Sequence, residues 1–203
     1  MRSRFIDRGA IFAGWVGIGV ALVVVIAFEL IIAVQALVFI LAPLMGLLIG
    51  AYANTRSERH RPWSRVLANA AYAGLVTAVG LALLYGGLRL LFVYGDSGYR
   101  SESQGGQLPC RPGPDCTYQR LLGANGAPTL EAAGVTDAAG FEGLLIRELL
   151  IGSGVLVTLT LGGAVAGGVI KGLGRPPGQP TGSPGTRNVS NAAPGPEGPA
   201  LQG

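Results

Sequence analysis

An all-α, polytopic integral membrane fold is what this sequence predicts, on three observations. Only 13% of its 203 residues are charged while 49% are hydrophobic, and a soluble domain carries about twice that charged share. The apolar residues fall in long blocks without the period-two alternation of a membrane barrel strand, so the spanning elements are helices. The arginines that give the chain its net charge of +4 stand at the ends of those blocks, where they act as topology signals. A four-helix transmembrane bundle with a disulfide-bonded extracytoplasmic loop is the expected architecture.

The elements follow in order. Residues 1–8, with Arg2, Arg4 and Arg8, form a cytoplasmic N-terminus. The block from 9 to 53 contains Glu29 as its only charge. As a single helix it would reach roughly 65 Å, about twice the hydrocarbon thickness, so it must fold back as a hairpin of spans 1 and 2. Arg56, Arg59, Arg61 and Arg65 follow it. Both flanks are therefore basic, which puts both in the cytoplasm and requires an even number of crossings between them. The turn belongs near residues 29–35, with Glu29 at an aqueous interface, although no Gly or Pro marks the place. A signal peptide is a poor alternative: MRSR suits a basic leader and Ala51-Tyr52-Ala53 a cleavage site, but the apolar region between them is several times longer than the usual stretch of about 7 to 15 residues.

Residues 54–65 form a basic cytoplasmic loop, whose arginines and Trp63 suit an anionic leaflet at roughly 1 kcal/mol per basic residue. Span 3 covers 66–94, the extracytoplasmic loop 95–143 and span 4 144–170. The tail 171–203 is rich in Pro, Gly, Ser and Asn, buries too little to offset its ordering entropy, and is expected to be disordered. Its Asn188-Val189-Ser190 acceptor triplet is irrelevant on the cytoplasmic side, and its PxxP-like spacing reads as plain solvated chain. The expected location is the cell membrane, with both termini cytoplasmic. Arginine outnumbers lysine, and alanine and glycine abound, which hints at a bacterial source.

The only cysteines, Cys110 and Cys116, bracket Pro112-Gly113-Pro114 in the outer loop. In an oxidising compartment that spacing reads as a disulfide closing a tight turn. It lacks the two-residue separation of a redox pair and the extra ligands of a metal site. Short helical turns are expected at 115–122 and 129–133, with Thr136 or Asp137 capping the helix that leads into span 4.

Ionisable groups at membrane depth are functional candidates. Counted at 1.5 Å per residue from the inner ends, Glu29, Arg89, Arg147 and Glu148 all land at the outer interface, where they snorkel and pair, Arg89 with Glu148 or Glu29. The same count puts Gly19, Met45, Gly46, Thr77, Thr158 and Thr160 at mid-depth. None of these is ionisable, which disfavours a proton relay, an ion-coupled carrier and a voltage sensor. Gly46-x3-Gly50 and Gly163-x3-Gly167 allow close helix approach and are expected to pack inside the bundle in preference to a homo-oligomer interface. Pro43 should bend span 2.

No metalloprotease, P-loop, nucleophile-elbow or dinucleotide motif is present. The expectation is a structural or interaction protein without catalytic activity, metal or cofactor. It would meet the lipid bilayer, and another copy or another membrane protein, but no nucleic acid. The competing reading is a small-solute transporter or channel subunit whose mouth is the layer of Glu29, Arg89, Arg147 and Glu148.

Overall fold

The computed structural model describes residues 6–31, 35–55, 62–95, 110–123 and 126–174, and within them every regular element is a helix. Four are long and apolar enough to cross a membrane. Helix α1 (Arg8–Val25) passes into a π-helical stretch, Ile26–Ile31; α2 spans Gln35–Thr55; α3 (Trp63–Leu90) ends in a second π-helical stretch, Leu91–Gly95. Two short helices, α4 (Pro114–Gly123) and α5 (Ala127–Ala132), precede the long α6 (Ala138–Leu173).

The packing order is read from the glycines. A Cβ added to Gly46 or Gly50 of α2 would stand 2.0 Å from the carbonyl oxygen of Thr160 or Ala164 of α6. Gly163 and Gly167 of α6 would in turn meet the carbonyls of Pro43 and Leu47, at 2.2 and 2.0 Å. The two helices run parallel, each laying its small residues on the other's backbone. In α1, Gly14 faces Val76 and Gly17 faces Thr77, while Gly80 of α3 faces Ile18, so α1 and α3 are parallel as well. Gly74 against Ala164 and Gly168 against Ala70 make α3 and α6 antiparallel. The result is an up-down-up-down bundle in which α2 and α3 touch each other and both flanking helices, α1 and α6.

Its interior is built from small side chains, among them Ala10, Ala13, Ala21, Ala42, Ala53, Ala73 and Ala78, with Leu81 and Leu156 filling the wider levels. Large apolar groups point outward instead: Trp15 is 68% exposed, Leu48 67% and Leu83 70%. In lipid no hydrophobic gain comes from burying a leucine between helices, and close backbone approach supplies the attraction.

Several boundaries differ from the sequence reading. Helix α3 starts at Trp63, so Trp63 and Arg65 belong to its first turn and not to a loop. Pro62 stands at its N-cap with extended backbone, and a proline's fixed φ and missing N–H suit a helix entrance. Trp63 lies over Gly172, whose Cβ would be 2.6 Å from the indole ring. Helix α6 begins at Ala138, behind the expected cap and six residues before the expected span, and runs for 36 residues, roughly 54 Å. Its first turns carry the cap. Helix α1 continues past Glu29 as a π-helix to Ile31; of the expected turn, residues 32–34 lie outside the described part. Helix α2 is continuous through Pro43.

The cap has its own core of Leu130, Val135 and Phe141, with Tyr118 and Leu144 packed against it. The Cys110–Cys116 disulfide, with Cα atoms 5.5 Å apart, ties the entrance of α4, and Cys116 is buried. Helix α5 ends in a Schellman motif: Val135 N–H donates to the Leu130 carbonyl and Gly134 N–H to that of Glu131, both at 2.9 Å. Gly134 takes φ 75°, which a side chain would strain, and Val135 meets Leu130 in the small core. Asp137 caps α6, its Oδ1 accepting from Gly140 N–H at 2.7 Å.

Candidate functional site

The chemically distinctive groups sit at the two ends of the bundle. At the cap end the centre is Tyr85, 2% exposed and one helical turn before Arg89. The Arg89 guanidinium carbon stands 4.8 Å from the Tyr85 ring centre, a cation–π contact. Phe39 of α2 meets the same ring edge-on with centroids 5.8 Å apart. Gly152 of α6 makes room for it, since a Cβ there would lie 3.2 Å from the phenol oxygen. Glu29 and Glu148 both lie within electrostatic reach of Tyr85, as Arg89 does of Glu29.

Three of the four charged residues expected in one layer are thus gathered around a single buried tyrosine. Arg147 is not: it precedes Glu148 on α6 and is exposed on the outward face. The Glu29 Oε1 atom is buried and has no hydrogen-bond partner among the described residues. Both π-helical stretches lie here, one containing Glu29 and the other starting two residues after Arg89. Such wide turns are rare and concentrate at functional sites. Beside them an apolar groove of about 200 Å³ opens between α1 and α3, lined by residues that include Leu22, Val25, Leu84 and Leu88. Above the cluster, the Tyr94 hydroxyl donates to Glu142 Oε1 and ties the end of α3 to α6.

The opposite end is held by neutral and carboxylate side chains that the sequence reading missed. Asp7 N–H donates to Asn69 Oδ1 at 3.1 Å, and Asn69 Nδ2 donates back to Asp7 Oδ2 at 2.9 Å. This reciprocal pair pins the start of α1 to α3 with Asn69 wholly buried. Asn54 Nδ2 donates to the carbonyls of Gly50 and Val66 at 3.2 and 3.1 Å, tying the end of α2 to the start of α3. Of the basic loop, Arg65 is half-buried in α3, while Arg56, Arg59 and Arg61 lie outside the described residues.

At mid-depth two threonines bond back to their own helices. Thr77 Oγ1 donates to the Ala73 carbonyl at 2.9 Å and Thr158 Oγ1 to that of Gly154 at 2.8 Å. Thr160 is fully buried where α6 crosses Gly46. Gly19 has no neighbour within 4 Å and faces out; Gly17 is the α1 glycine that packs inward. Among the described residues no group of three or more His, Cys, Asp or Glu stands where it could hold a metal ion.

No family model, curated protein or solved structure matches this chain.

Proposed function

We propose that this chain is a multi-pass protein of the cell membrane that serves as a structural or interaction component, a scaffold or accessory without catalytic activity. In this reading the cap is extracytoplasmic, the Asp7 end and both termini are cytoplasmic, and the cap is the surface that meets partners. The observation that carries it is the closure of the bundle at mid-depth. There Gly46 lies on the Thr160 carbonyl, Gly163 on that of Pro43 and Gly17 on Thr77, too close for even a methyl group to intervene. A solute has no course between helices in that contact. The chain instead invests its order outside the bundle, in a disulfide, a second core and two short helices.

Topology is the first test. With both native cysteines replaced, single cysteines at Ser57 and Ser101 are exposed to an impermeant maleimide on intact cells. Labelling at Ser101 alone is expected, and labelling at Ser57 overturns the arrangement. Photo-crosslinkers at half-buried Arg120 and exposed Leu121 of the cap should then capture neighbouring proteins more strongly than one at Leu83.

A second reading rests on the orphaned Glu29 Oε1 and the charges around Tyr85. It makes this layer the mouth of a small-solute transporter or channel subunit. Solute flux in proteoliposomes that disappears in Arg89→Ala would favour it, and an ion- and solute-tight preparation counts against it.

A further inference from the structure

Three helices bring basic side chains to one end of the bundle. Arg8 opens α1, Arg65 lies in the first turn of α3 and Lys171 in the last turn of α6. In sequence they belong to three separate segments, and two contacts level them. The Asp7 and Asn69 pair sets the start of α1 beside the second turn of α3. The Trp63 ring lies over Gly172, so α3 begins where α6 ends. The helical rise then puts the three cations within roughly 8 Å of one another in depth. Arg8 and Lys171 are exposed and Arg65 is half-buried. Asp7 is the one carboxylate at this end among the described residues, and it is buried against Asn69. The cap end differs, since exposed Asp115, Glu131 and Glu148 stand there among Arg111 and Arg147.

What surrounds the cations selects an occupant. Apolar side chains are exposed within a turn of each: Phe12 beside Arg8, Leu67 beside Arg65, Ile170 and Leu173 beside Lys171. Trp63, 48% exposed, lies at the same level. A soluble polyanion would satisfy the cations and leave these apolar groups in water. An anionic phospholipid satisfies both, its phosphate meeting the cations and its chains the apolar flank, and an interfacial tryptophan suits the headgroup layer.

We infer that this end of the bundle is a surface for anionic phospholipid, formed by Arg8, Trp63, Arg65 and Lys171 and selective against zwitterionic lipid. This rests on the reading of the chain as membrane-embedded, and it assigns a lipid class to the basic end, which that reading leaves open. The test uses the full chain in phosphatidylcholine vesicles, with brominated phosphatidylglycerol or brominated phosphatidylcholine added as quencher. The chain has two tryptophans, so Trp15→Phe leaves Trp63 as the sole emitter. A basic residue near an anionic surface is worth about fivefold in relative affinity. Trp63 is therefore expected to be quenched to the same extent by phosphatidylglycerol at about one-fifth of the mole fraction that phosphatidylcholine requires.

Arg65→Gln and Lys171→Gln should each bring that ratio toward one, and Lys171→Arg should keep it. An emitter at the other end, the exposed Leu91→Trp with Trp15 and Trp63 both replaced by phenylalanine, should show no preference. Equal quenching by the two lipids, a ratio indifferent to both Gln variants, or the same preference at position 91 overturns the proposal. So does loss of the preference in excess inorganic phosphate at constant ionic strength, which would assign the cations to a soluble anion. Quenching by neither lipid takes Trp63 out of the bilayer and sinks the membrane reading as well, whereas equal quenching by both sinks the lipid selectivity alone.

Discussion

Gly162 and Gly163 are neighbours in the chain and opposites in the fold. The first has nothing within 4 Å of its missing side chain, whereas the second lies against the Pro43 carbonyl at 2.2 Å. Both belong to runs of small residues at the spacing that membrane helices use to pack. Spacing therefore marks a helix face that can be approached closely, and only a neighbour's backbone makes it an interface. The general form of the comparison is that a substitution on this molecule costs in proportion to what covers the site, whatever the residue type.

The strongest way to break that statement is a pair of variants. Gly163→Leu should cost more than the ~1–3 kcal/mol of ordinary overpacking, because the obstruction is a helix backbone that cannot rotate aside. Gly162→Leu should leave the detergent-solubilised monomer folded. Equal losses in thermal melting would refute the distinction between the faces.

Higher on the same helix, Phe141 is covered by the cap and not by a span. Phe141→Ala is expected to cost the cap up to ~3–5 kcal/mol, exposing residues 114–135 to protease and hydrogen exchange while α1, α2 and α3 keep their protection. A global loss of protection would mean that cap and bundle form one cooperative unit.

At the far end the cover is a hydrogen bond. Asn69→Ala removes the reciprocal pair of bonds with Asp7, so a loss of ~1–3 kcal/mol is expected in denaturant unfolding. Replacing the exposed Asn-free neighbour position Leu67 by Ala should barely register by the same measurement. Next comes the helix entrance, where Asp137→Ala should cost ~1 kcal/mol and fray the first turn of α6 in hydrogen exchange. The smallest effect is expected at the open face: Gly162→Ala should change monomer stability by no more than ~1 kcal/mol, in the favourable direction, since alanine is the better helix former.

The elements of this fold that depend on composition along the chain were legible. The apolar blocks bounded by arginine gave four helices of membrane-spanning length, the Cys110 and Cys116 spacing gave the bridge, and residue type beside an apolar run narrowed the cap to Thr136 or Asp137, of which Asp137 accepts from Gly140 N–H. The helix ends were less so. Trp63 and Arg65 read as loop because charge was taken as the boundary, whereas Pro62 is what starts the helix and Gly172 is what receives the indole. The start of α6 at Ala138 follows from the expected cap, whereas the packing of its Phe141 on Leu130 and Val135 joins segments that no local pattern places side by side.

Of the candidate site, Glu29, Arg89 and Glu148 were found by depth counting, which needs only the rise per residue. Tyr85 was missed although its signal was present, one turn before Arg89 on the same helix face. The Asp7 and Asn69 pair had no readable signal, since 62 residues separate them. Asn54 was passed over for the same reason: its bond to the Val66 carbonyl exists only once α2 and α3 are laid side by side.

By itself the sequence determined which segments form helices long and apolar enough to cross a membrane, because hydrocarbon admits only apolar, internally hydrogen-bonded helices. Which glycines meet a carbonyl and which meet nothing, and which of four charges gather on Tyr85, was decided by tertiary structure. Those outcomes depend on the angular position and depth of one helix against another, and short-range packing contacts fix both only when the helices are in place.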